Sequence, residues 1–139
     1  MTRSEINHQI SSYQTQIDSC YRQIQEQQAR LDRLLELKSK HQKVLADHYC
    51  LQDSRTSQYN YMANAFPQIR FAKAQSDVML ELLRSNEATR AGKGIEDSIE
   101  VIKQEIRRSE DKIDDLNRRI LGYNNSISNL RYQLRYAED

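Results

Sequence analysis

The chain has 139 residues, 21 Lys and Arg against 20 Asp and Glu, a net charge of +1, three Gly, one Pro and no Trp. That length makes one domain, 1–139, the default, and so few Gly and Pro leave little turn chemistry for a sheet. The balanced charge gives no global surplus of the kind that nucleic acid or an anionic membrane surface attracts.

The first element begins just after Thr2 and Ser4, either of which suits a helix cap. Ile6, Ile10, Tyr13, Ile17, Cys20, Ile24, Leu31, Leu34 and Leu45 then fall on alternating steps of four and three, with Gln27, Lys38 and His41 as polar members. That spacing is a coiled-coil seam and predicts a helix over about 4–51. Residues 52–60, QDSRTSQYN, are rich in side chains that compete for backbone hydrogen bonds, and they read as a break. Pro67, the only proline, suits a first helical turn and opens a second helix over about 67–90. Its apolar members, Ile69, Phe71, Val78, Met79, Leu82 and Leu83, are less regular than the seam before them.

Gly92-Lys93-Gly94 punctuates the chain again, and a third helix is predicted over about 95–137. One column of its heptad reads Ile99, Ile106, Ile113, Ile120, Ile127 and Leu134; the other reads Ile95, Ile102, Ser109, Leu116, Tyr123 and Leu130. Two seams of similar length around a helical insert predict an all-α fold, an elongated antiparallel helical hairpin or coiled coil with an inserted middle helix. The matching register places Ile10 near Leu130, Ile24 near Leu116 and Leu45 near Ile95, with Leu31 by Ser109 and Gln27 by Ile113.

Chemistry-bearing constellations are sparse. His41 and His48 lie roughly 10 Å apart by helical rise, too far to share an ion, so no metal and no cofactor is expected. No phosphate loop, nucleophile elbow or zinc spacing occurs, and an enzyme is not expected. Arg107, Arg108, Arg118 and Arg119 would carry a nucleic-acid reading, but acidic neighbours such as Glu110, Asp111, Asp114 and Asp115 make solvated coiled-coil flanks the simpler one. Cys20 and Cys50 are too few for a disulfide framework, which suggests a reducing compartment. No apolar run approaches the roughly 20 residues of a membrane span, and the first residues lack the apolar core of a signal peptide. A cytoplasmic protein is expected, without membrane insertion.

The aromatic content is eight Tyr and two Phe. Tyr59, Tyr61, Met62, Phe66, Ile69 and Phe71 gather around the predicted break, where they either plug the end of the hairpin or anchor a partner. Aromatic and Met side chains are well suited to the second role.

Ala63, Asn64, Phe66, Ile69 and Arg70, between a heptad-rich first helix and an Ile- and Leu-rich closing coiled coil, resemble a pattern of the small helical partner proteins of LXG toxins. This is the YwqH-like, WXG-like group linked to bacterial type VII secretion. The Trp and Gly of that group's turn are replaced here by Gln58 and Asn60. The resemblance implies a non-enzymatic targeting factor that binds the helical N-terminal region of a secreted toxin, together with a second small helical protein. It also implies co-export as an alternative to staying in the cytoplasm. Tyr49 and Asp53 fit the Tyr-x-x-x-Asp/Glu string of an export signal, whereas Tyr136 has the wrong spacing to Glu138 and Asp139. Without the resemblance, the same seams suit a generic coiled-coil tether or assembly subunit.

Overall fold

Thr2 and Glu5 form a reciprocal capping box: the Thr2 amide donates to Glu5 Oε2 (2.8 Å), and the Glu5 amide donates to Thr2 Oγ1 (3.2 Å). From this start α1 spans Arg3–Ala65, followed by α2 (Arg70–Leu83) and α3 (Asn86–Leu134). The computed structural model describes residues 1–65 and 69–137, and no strand occurs among them. The expected all-α, hairpin-like fold with an inserted middle helix is present.

The predicted break at 52–60 does not occur; α1 runs straight through it. The stretch contains neither Gly nor Pro, and its polar side chains serve the helix rather than competing with it. Thr56 Oγ1 donates to the Gln52 carbonyl one turn back (2.8 Å), and Gln52 Nε2 donates to the Leu83 carbonyl at the end of α2 (2.8 Å). The inward-facing positions also continue, now at steps of four, four and three: His48, Gln52, Thr56 and Tyr59 are all half-buried.

The second boundary shifts as well. The chain turns at Arg84 and Ser85, not at Gly92–Gly94, and both glycines are helical within α3. Ser85 makes the turn: its hydroxyl donates to Leu82 O (2.7 Å), and its oxygen accepts from the Ala88 amide (3.4 Å), so it closes α2 and caps α3. None of the glycines has a positive φ, so each costs the helix about 1 kcal/mol relative to Ala without ending it. At the other end α3 stops at Leu134 rather than near 137, passing into tight turns such as Tyr136 N to Gln133 O (3.0 Å). The predicted helix start at Pro67 lies outside the described residues.

Contacts divide the chain into two units. Unit 1 comprises Met1–Leu35 with Glu105–Asp139, and unit 2 comprises Glu36–Gln104. In unit 1, Ile6, Ile10, Ile17 and Cys20 of α1 are buried with Leu116, Ile120, Ile127 and Leu130 of α3, flanked by Tyr13, Ile24, Tyr123 and Leu134. These are the two predicted seams. Between the two helices Tyr13 packs against Tyr123 (ring centroids 5.8 Å) and Arg30 pairs with Glu105 (2.8 Å). In unit 2 the buried side chains are Ser76 and Leu80 of α2 with Ile99 and Ile102 of α3, while α1 supplies the half-buried Lys38, His41, Leu45 and His48.

Candidate partner interface

Unit 2 has an open apolar groove of about 490 Å³ between α1 and α3. On the α1 side, Leu37, His41 and Val44 share one helix face. Leu37 is 42% exposed and Val44 54%, so neither is covered by the helix opposite. On the α3 side the floor is Ala91, Gly94 and Ser98, with Ile95 beside them. Small residues at this spacing leave a trough where larger ones would fill the seam. A Cβ built on Gly94 meets nothing within 4 Å. The walls are held in place: His41 Nδ1–H donates to Leu37 O (3.0 Å) and Ser98 Oγ donates to Gly94 O (3.0 Å).

Next to the trough, Gly92 is buried because Tyr49 lies across it. A Cβ on Gly92 would stand 3.1 Å from Tyr49 Oη and 3.3 Å from Cε1, and 3.4 Å from His48 Nε2. Tyr49 Oη donates to Glu96 Oε1 (2.6 Å), a bond from α1 to α3. That bond, followed by partial burial and the negative charge of Glu96, raises the Tyr49 phenol above its ordinary pKa. His48 Nε2 is buried with no hydrogen-bond partner among the described residues.

The residues expected to engage a partner separate by exposure. Tyr59 and Met62 are half-buried on the inner face of α1, whereas Tyr61 (68%), Ile69 and Phe71 (77%) are exposed. Phe66 lies outside the described residues. Phe71, Val78 and Leu82 form an exposed stripe along α2, and its other face supplies Ser76 and Leu80 to the interior. Of the candidate export signal, Asp53 is exposed and Tyr49 is held by Glu96. The groove itself was not anticipated. Its signal was the small-residue spacing Ala91, Gly94, Ser98, which reads as a helix break when the glycines are considered alone.

Among the described residues no three His, Cys, Asp or Glu converge to hold a metal ion, and no helix is long and apolar enough to cross a membrane. No protein-family model, curated protein or solved structure matches the chain.

Proposed function

We propose that this chain is a non-enzymatic partner protein that binds an α-helical segment of another polypeptide. Following the resemblance, we take that segment to be the helical N-terminal region of an LXG-type toxin, bound to assist export by type VII secretion. The observation that carries the helix-binding reading is the open trough of unit 2, where Leu37 and Val44 stand half-exposed over Ala91 and Gly94. Two helices that leave such a trough offer the seat of a third, and small residues on the floor let its backbone approach closely. Co-expression with the helical N-terminal region of an LXG-type toxin should give a stoichiometric complex that survives gel filtration, and deletion should reduce export of that toxin. Absence of a complex together with unchanged export would overturn the toxin reading.

A second reading, the self-associating tether, draws on the exposed stripe of Phe71, Val78 and Leu82 on α2. Light scattering separates the two. A homodimer that Phe71→Ser disperses, with no affinity for added helices, favours the tether.

A further inference from the structure

Unit 2 sorts its charges between two grooves. No Asp or Glu lines the apolar trough itself; Lys38, Lys43 and Lys93 lie on the same stretches of α1 and α3, bounded by Glu36 on one helix and by Glu96 and Asp97 on the other. Lys40, His41 and Arg90 line the trough directly. The neighbouring groove, along Gln42, Leu45 and Ile99, is lined instead by Glu96, Asp97 and Glu100, with Lys103 paired to Glu100 (3.2 Å). A net charge of +1 for the whole chain conceals this division.

We propose that the trough is a seat for an acidic amphipathic helix, its apolar face on Leu37, Val44 and Gly94 and its carboxylates on Lys40 and Arg90. The proposal deepens the helix-binding reading and rests on it. Leu37 to Val44 covers about 10 Å of α1, two turns, so the trough takes two to three turns of a docked helix. The cations are available to it. Among the described residues Lys40 is engaged only by the exposed Glu36 (3.1 Å), an i,i+4 surface pair that exchanges readily, and Arg90 has no ion-pair partner. The apolar floor distinguishes this seat from a phosphate-binding strip, which has no use for uncovered Leu and Val. A basic helix is turned away here and would meet its complement only at the Glu96–Glu100 groove.

The test uses the full chain and three designed peptides of about 20 residues, alike in a Leu/Ala contact face and differing in flanks of Glu, Gln or Lys. Isothermal titration should show the Glu peptide binding at least about tenfold more tightly than the Gln peptide, and the Lys peptide more weakly still. The Glu advantage should shrink as salt rises from about 50 mM to about 500 mM. Gly94→Leu should weaken the Glu peptide at least about tenfold while thermal unfolding is unchanged or raised, because the added side chain enters open space and favours the helix. Arg90→Glu should narrow or reverse the preference between Glu and Lys peptides.

Equal binding of the Glu and Lys peptides would overturn the charge assignment while leaving the helix-binding reading intact. Glu-peptide binding that ignores Gly94→Leu would place the seat elsewhere and overturn the proposal. Failure of all three peptides overturns it as well, and the toxin co-purification then decides the broader reading independently. A short DNA duplex that displaces the Glu peptide at lower concentration would show that the cations serve a polyanion instead.

Discussion

Unit 1 and unit 2 use stretches of the same two helices, α1 and α3, with the same four–three spacing, yet only unit 1 closes its seam with apolar side chains from both. There α1 offers Ile6, Ile10, Ile17 and Cys20 to Leu116, Ile120, Ile127 and Leu130. In unit 2 α3 still offers Ile95, Ile99 and Ile102, but the α1 positions are Lys38, His41, His48 and Gln52, with Leu45 the aliphatic exception. Long polar side chains cover apolar surface with their stems but keep their heads toward water, so they do not fill a layer as Ile does. The spacing decides that helices pair, and the identity of each layer decides whether the pair is complete. A complete seam is a scaffold, whereas an incomplete one leaves surface for another molecule.

The largest expected effect tests that contrast directly. Leu116, 1% exposed, is fully buried in the core of unit 1, and Leu116→Ala should cost about 2–4 kcal/mol in urea unfolding. Leu45, half-buried in unit 2, should cost about 1 kcal/mol on the same change, since less area is lost and the open surroundings leave little cavity. Equal losses would mean that the two seams are packed alike.

The seam columns were legible in the sequence because an apolar period survives whatever lies between its members. Each predicted heptad position from Ile95 to Leu134 is buried or half-buried. The boundaries were harder to read. Residues 52–60 look like a loop by composition, and what overrides composition is a carbonyl at the end of α2 that needs the Gln52 amide. Ser85-Asn86-Glu87 carries a cap signal, and two glycines further on outweigh it when boundaries are read from residue type alone. The trough was illegible for a different reason. It depends on how far Leu37 and Val44 are left uncovered beside Gly94, and an apolar period does not specify that.

Next in size is Ser76, fully buried in unit 2 with an Oγ that finds no partner among the described residues. Ser76→Ala should raise stability by about 1 kcal/mol, because the hydroxyl is desolvated without compensation and Ala is the better helix former. A loss of that size would show that the hydroxyl is satisfied in solution, making this part of unit 2 better resolved than the contrast allows.

The two glycines of α3 sharpen the comparison within unit 2 itself. Gly94→Ala should add about 0.5–1 kcal/mol, since its Cβ enters open space. Gly92→Ala should fall short of that by about 1 kcal/mol, because Tyr49 must move and Glu96 holds it. In a Tyr49→Ala background the shortfall should vanish. Its persistence there would locate the obstruction at His48, the other side chain within reach.

The smallest effect concerns the bond that ties α1 to α3 just beyond the trough. Tyr49 donates its phenolic proton to Glu96, and the folded chain holds that proton more tightly than the unfolded chain does. The bond therefore contributes in full below the unfolded value of about pH 10, and its contribution is lost as pH rises through the higher folded value. Tyr49→Phe removes the bond at every pH, so the variant should be less stable than the parent below about pH 9, and the gap should close in more alkaline solution. Urea unfolding of both proteins across that range measures the gap without resolving eight overlapping tyrosine titrations. A gap that stays constant into alkali would mean that the phenol of Tyr49 contributes packing rather than a proton to Glu96. Tyr49 would then join α1 to α3 by packing, as Tyr13 and Tyr123 do in unit 1.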